Sequence, residues 1–557
     1  MYYNVIKNKI YPICLISKGE WNMVKKIFST LMIIIGIIVG AVAICVGIMV
    51  FFPSISLFGF HYVKDNVKDQ ISTLMVNQAD AKISDYAGLE INLDKYELTI
   101  ERFEEVTSEN AGKIILETNS SFVGLLRNNS ENVLVKTFKI VPSVKETEAG
   151  NVLVLNSEEP TGIIIPSEMS IKIKLCIGKN ETVSNLKNVS LNVKNANTNI
   201  TGNDWTLQTE SLTLSKESTT KSISIGSVVA TKELNINVPA GRVDFSKLTT
   251  ETTNVNIVTR GATFEFDNVN SINVTSETKP YIKVKNLVKE SIDFKSKSGS
   301  LYAGTVNGEI TLNTDSASIE IGTLKGTMNT SSYDGKTFCN SNIKIACIES
   351  ISGYSSSDEE NKVTISTIDG SVTIGKTNRN TYITTEKGAI SIGDKDNVGV
   401  NCDILDITTA RGQVNAFFNP NKLVKTNIVS TKSGLINIVD ISPAEGSVIE
   451  SRENSEISVT IGGITVNDFT IKACSKPVNV YVPINAKVNL DLEGSLVNIN
   501  LSSIGEEINI DKAGYSSDIV TGKSDRVGCT YTTEGADGTI IVKNDRLNSK
   551  VYIKDAV

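Results

Sequence analysis

The sequence predicts an all-β protein: a parallel β-solenoid of stacked coils, with an N-terminal transmembrane helix and a small β domain or cap before the repeats. Three observations predict it. A ten-residue phrase returns eight times in the second half of the 557 residues. Within each copy, apolar and polar residues alternate at the period of a β-strand. One charge-free apolar run, Ile27 to Phe52, lies near the start.

The phrase is an apolar residue, any residue, a small hydroxyl residue, two polar residues and glycine, followed by a second apolar alternation. It reads Phe294-Lys-Ser296-Lys-Ser-Gly299-Ser-Leu301-Tyr-Ala303, then Ile365-Ser-Thr367-Ile-Asp-Gly370-Ser-Val372-Thr-Ile374. It returns from Ile383, Ile407 and Val429 with Gly388, Gly412 and Gly434 in the turn. The copy from Leu312 carries Ala317 for glycine, that from Ile449 has one extra turn residue, and that from Ile471 replaces glycine with Lys476. The turns fall at 299, 317, 370, 388, 412, 434, 454 and 476, so the intervals are 18, 53, 18, 24, 22, 20 and 22. The interval of 53 predicts two or three divergent coils, one starting near Met328, with Ser355 to Asn361 as a surface loop.

Each copy is a strand, a tight turn and a second strand, with Ile383, Ile390 and Ile392 on one face. Glycine in the turn suggests a positive φ. The hydroxyl residue at the strand end points inward with the apolar residues. It is either a rung of a hydroxyl ladder or simply a good strand former. A unit this short cannot bury its apolar face alone, so neighbours must stack. Antiparallel meanders would share the strand pairs, but recurrence at one offset is the demand of in-register parallel stacking. At ~4.8 Å per coil, on the order of a dozen coils make a rod roughly 50–60 Å long.

The "T-x-x-G-x-I-x-I" phrase resembles the bacterial putative-adhesin domain family of membrane-anchored repeat proteins. The strands Ile165-Pro166 to Ile173 and Val482-Pro483 to Leu490 fit it too. The clear match runs from about Phe294 to Leu501, with weaker coils from about Ile165. The resemblance implies a β-solenoid on the outer side of a membrane. No functional residues come with it.

The elements follow in order. Residues 1–26 form a cytoplasmic N-terminus. Within them Met23-Val-Lys-Lys reads as a natural start, and Lys18-Gly-Glu permits a ribosome-binding sequence ahead of it, so residues 1–22 are expected to precede the true start. Residues 27–52 are the transmembrane helix, long enough for a hydrocarbon core of ~30 Å. Lys25 and Lys26 precede it, which places the N-terminus inside and the rest outside. The competing signal-peptide reading has its Ala41-Val-Ala43 inside the apolar run rather than after it.

Residues 53–86 read as a juxtamembrane stalk, with Val63, Val67, Ile71 and Leu74 on one face of a short helix. Residues 87–164 carry strand-like runs outside the repeat frame: Leu89 to Leu93, Tyr96 to Ile100, Ile114 to Glu117, Val133 to Val141 and Val152 to Leu155. They read as a small β domain or solenoid cap. Residues 165–528 are the repeats. Residues 529–557 read as a C-terminal hairpin cap, Cys529 to Thr533 pairing with Thr539 to Val542.

Composition narrows the function. The net charge of −7, from 55 basic and 62 acidic residues, leaves no basic footprint for nucleic acid. Aromatics at 6% are sparse for a surface that stacks sugars or bases. The single histidine is His61, so the repeats hold no His-dependent triad or His-ligated zinc. Eight cysteines show no C-x-x-C spacing. Cys14 and Cys45 precede the outer domain or lie in the apolar segment, and the other six read as buried small hydrophobes, with a Cys339–Cys347 pairing as the alternative. Asp358-Glu-Glu360 lies in a serine-rich loop. Asp394-Lys-Asp396-Asn-Val-Gly399 begins like an EF-hand, but its twelfth position is Leu405. Gly462-Gly463 is a turn signal. Glu320, Asp369, Glu386 and Asp406 are scattered along outward or turn positions.

No catalytic, cofactor-binding or metal residue is therefore assigned, and no cofactor. The expected partners are the membrane and a cell-envelope glycan or protein ligand. The expected function is a non-enzymatic, anchored surface protein with an adhesin-like role. The alternative is a β-helical polysaccharide lyase or glycosidase, whose paired carboxylates would have to converge from different coils.

Overall fold

The computed structural model describes residues 18–556 except 53–54, 94–96, 104, 128–138, 159–161, 179–181, 194–197, 202–204, 217–222, 240–242, 251–252, 262, 337, 350–361, 463–467, 485, 503–506, 512–519, 524–525, 533–534, 537 and 545–549. The expected start at Met23 concerns a segment that lies mostly outside the described residues. So do the loop Ser355 to Asn361 with its acidic cluster, the second glycine of the Gly462-Gly463 pair, and most of the strand expected from Val133.

The chain divides into two units. The first contains the helix Lys18–Phe51. Its segment Lys25–Phe51 is long and apolar enough to cross a membrane, and most of its apolar side chains are exposed rather than packed in a core. The strand Phe60–Thr73 follows and pairs with Ile114–Arg127, which in turn pairs with Gly162–Leu175. This corrects the helix expected from Val63 to Leu74. A spacing of four is a helical turn, but it is also two pleats of a strand, so Val63, Val67 and Ile71 fit either structure. Pairing with Ile114–Arg127 decides for the strand.

The second unit is the parallel β-solenoid. Strands of successive coils pair parallel, with matching residues stacked. Val372 lies beside Ile390, Ile390 beside Val414, Val414 beside Ile436, and Ile457 beside Val478. A second column runs Ile365, Ile383, Ile407, Ile428, Ile449 and Ile471. Nearly every member of both columns is completely buried, and each such side chain contributes roughly 1.5–3 kcal/mol. The coil expected near Met328 is present, since Met328 stacks on Ile310. The interval between Ala317 and Gly370 does not hold the two or three coils expected: among the described residues one further turn lies there, at Ser341, whose hydroxyl accepts the Ala317 N–H at 2.8 Å, because the strand of Ile343 pairs with that of Ile319 on one side and that of Val372 on the other.

Glycine has a second reason in these turns besides the one expected. Gly299 and Gly434 do adopt positive φ, of 120° and 157°, but Gly370, Gly388 and Gly412 do not. They stand directly above one another, and a Cβ on Gly388 would overlap the carbonyl oxygen of Gly370, as one on Gly412 would overlap that of Gly388. Close approach between coils excludes the side chain.

The hydroxyl column exists and is buried. Thr367, Thr385, Thr409, Ser430 and Ser451 stack in register. In the copy from Val429 the inward hydroxyl is Ser430, not Thr431, because Ile428 takes the core position beside Ile407. Most of these hydroxyls serve the turn rather than a continuous ladder. Thr367 accepts the Gly370 N–H at 3.2 Å and Thr409 the Gly412 N–H at 2.8 Å. The Thr385 hydroxyl lies 3.0 Å from both the Gly388 carbonyl and the Thr409 hydroxyl. A buried hydroxyl with such partners carries no desolvation penalty of its own.

Both ends of the stack depart from chain order. The strands Gly88–Leu93 and Glu97–Arg102, expected in a separate domain or cap, stack parallel on Asn188–Val193 and Thr198–Thr201. Gly88–Leu93 also pairs on its other edge with Gly150–Glu158. Parallel stacking therefore begins ahead of Ile165. At the far end, Thr539–Asn544 and Lys550–Asp555 slot between the coil of Phe469–Val482 and that of Asn489–Asn500. The hairpin expected from Cys529 to Val542 does not form. Instead Arg526–Tyr531 and Glu507–Asp511 pair antiparallel with the coil Asn489–Asn500, and such antiparallel pairing covers a strand edge.

Candidate functional site

Period-two alternation sends every second residue of each strand out of the solenoid, so the outer surface consists of rows, one residue per coil. Among the described residues, three kinds of row bear on function. In the first, opposite charges face each other across coils. Lys232 meets Glu210 at 2.6 Å, Lys285 meets Asp267 at 3.2 Å and Lys344 meets Glu320 at 2.8 Å. Lys387 meets Asp369 at 3.1 Å and Lys422 meets Asp403 at 2.5 Å. The Lys232 hydrogen bond holds the Glu210 carboxyl below the usual range, and the Glu320 hydrogen bond raises Lys344. Exposed pairs like these contribute little stability each and weaken with salt.

In the second kind, asparagines bond to asparagines. Asn192 donates to Asn92 at 2.8 Å, and Asn92 donates to Asn156 at 2.9 Å. Asn401 donates to Asn378 at 3.0 Å and Asn419 to Asn401 at 2.9 Å. In these ladders each amide is engaged by the amide of an adjoining coil. The expectation of hydroxyl ladders did not include them, although an asparagine recurring at one coil offset was visible in the sequence.

The third kind lies on the face built by Val372–Thr377, Ile390–Ile392, Val414–Phe417, Ser433–Pro443, Asn454–Ile461 and Val478–Val482. One row there reads Thr373, Ser391, Asn415, Asn437, Ser458 and Asn479. The neighbouring row includes Phe417, Val439, Thr460 and Tyr481, all partly exposed. Neither row carries a charge over these coils.

The scattered acids are not brought together. Glu320 and Asp369 are held by the lysines named above, Asp406 accepts the Asn427 amide at 3.0 Å, and Glu386 is exposed in a turn. The Asp394 carboxylate is turned onto its own loop. It accepts the N–H groups of Asp396 and Asn397 at 2.8 Å each, and with the Asn397 side-chain amide these bonds hold it below the usual carboxylate range. No group of three or more His, Cys, Asp or Glu that could hold a metal is found among the described residues.

Cys339 and Cys347 are both free thiols, and Cys176, Cys339 and Cys402 are buried. Burial pushes the Cys402 thiol up to about 12. Arg379, which the sequence did not single out, lies inside the solenoid. Its guanidinium donates to the Gly326 carbonyl and, at 3.3 Å, to that of Lys362. Burial lowers its pKa to about 10, so it stays charged at neutral pH. A hollow of about 260 Å³ is lined by Ile83, Val106, Cys176 and Ile177 among others. Among the described residues its lining gathers no acid–base pair.

No protein family model matches the chain, and no curated protein matches it. Among solved structures, a putative cell adhesion protein from Clostridium sporogenes is similar over 88% of this chain and 99% of its own, at 8% identity and a TM-score of 0.13. A score that low carries neither a fold nor a role across.

Proposed function

We propose that this chain is a membrane-anchored surface protein whose solenoid lies outside the cell and binds an envelope glycan or protein, without turning it over. The observation that carries the reading is the state of five outward carboxylates along the stack. Cleavage of a glycosidic bond by a solenoid needs two carboxylates converging on one groove. Here Glu210, Glu320, Asp369, Asp403 and Asp406 are each engaged by a lysine or an amide of an adjoining coil. The helix Lys25–Phe51 supports the anchor, and Lys25 and Lys26 at its start support an inside N-terminus.

The test pairs two readouts on the full chain in detergent. Retention on isolated cell envelopes is expected, with no fragments released from cell-surface polysaccharides, with or without added calcium. Fragment release abolished by a single Asp or Glu change would establish the polysaccharide lyase or glycosidase instead.

A further inference from the structure

Polar side chains on the outer surface fall into two classes, spent and unspent. The asparagines of the amide ladders are spent on each other. The row Thr373, Ser391, Asn415, Asn437, Ser458, Asn479 is different. Asn415 accepts a 3.3 Å hydrogen bond from Gln413. The side chains of the other five have no protein partner among the described residues. A file of amides and hydroxyls therefore presents free donors and acceptors at one coil spacing, ~4.8 Å.

Beside it runs an apolar ridge that includes Phe417, Val439 and Tyr481, half-buried against their neighbours. The row on the other side contains Leu435 and one charge, Glu456. Charge returns at the corners, with Lys376 and Asp394. Just beyond Thr373 the same row carries the Lys344–Glu320 pair. Beyond Tyr481 the ridge row carries Lys554, so the uncharged stretch is bounded at both ends.

We propose that this strip is the docking surface for an uncharged linear polysaccharide. The assignment rests on the binding role proposed above and narrows it to one face and one chemical class. Sugar hydroxyls need donors and acceptors that are not already committed, and the amide file supplies them. Sugar C–H faces need apolar and aromatic surface, and the ridge supplies it. A repeating polymer meets equivalent groups at successive coils, so weak contacts add along its length. Between Lys344 and Lys554 a polyanion would find no cation in either central row to offset the desolvation of its charges.

The test uses the full chain in detergent micelles, titrated with cellohexaose, N-acetylated chitohexaose and polyglycerol phosphate at low and high salt. Binding of at least one neutral hexasaccharide is expected, unchanged by salt. Asn437→Asp points outward and should leave thermal stability close to wild type, whereas Phe417→Ser gives up half-buried packing, so its binding is measured well below its own melting temperature. Each is expected to weaken that binding about tenfold or more, whereas Lys344→Ala, outside the strip, should not. Binding of the polyanion alone, or no binding of either neutral probe, overturns the assignment. So does self-association of the wild type that Asn437→Asp disrupts, which would make the occupant a second copy. Envelope retention that survives both strip variants would overturn the strip while leaving the broader binding role standing.

Discussion

Ile390→Asp is expected to destabilise the solenoid by more than about 4 kcal/mol. Ile390 is completely buried between Val372 and Val414, with backbone pairing on both sides. The substitution removes the apolar contacts and places a carboxyl where no described side chain can receive it. The group can escape by staying protonated, so its folded pKa rises above the unfolded value of ~3.9. The sign follows from linkage: the variant is least impaired below pH ~4 and loses further stability as the pH rises through the folded pKa. Urea unfolding followed by the β signal in circular dichroism, at acid and at neutral pH, measures both effects. Wild-type stability at neutral pH would remove Ile390 from the core.

Gly388→Ala is expected to cost more than about 2 kcal/mol, although alanine has the smallest side chain and a better conformational entropy. The new Cβ meets the Gly370 carbonyl oxygen, a backbone atom held by the next coil rather than a side chain that can swing away. The informative comparison is Gly446→Ala. Gly446 has φ of 75° with open space where its Cβ would stand, so only backbone strain of roughly 1–2 kcal/mol applies there. Thermal melts of the two variants separate packing from strain. If Gly388→Ala were the milder change, the close-approach account of the glycine column would be wrong.

The repeated phrase made the coil legible because each copy must match its neighbours in two ways. Its apolar residues share a core column, and its turn must clear the turn below. That is why Gly370, Gly388, Gly412 and the coil at Met328 were placed correctly. Alternation reveals which face a residue takes but not which edge its strand pairs with. The insertion of Thr539–Asp555 between earlier coils, and of Gly88–Arg102 between later ones, was therefore invisible. A spacing of four could not separate helix from strand at Val63, Val67 and Ile71. Nor could one-dimensional reading tell a spent asparagine from a free one, since Asn401 and Asn437 each have an asparagine on an adjoining coil and only the side chains around Asn401 bond to it. The cross-coil lysine partners of the acids were hidden for the same reason.

The most direct test of an anchored, outward-facing solenoid is protease shaving of intact protoplasts with antibodies against the region around Gly434 and against the N-terminal segment. The account predicts that the Gly434 epitope disappears while a small membrane-bound N-terminal fragment survives. Complete protection of the Gly434 epitope in sealed protoplasts would contradict it, as would release of the mature protein into the medium without added protease.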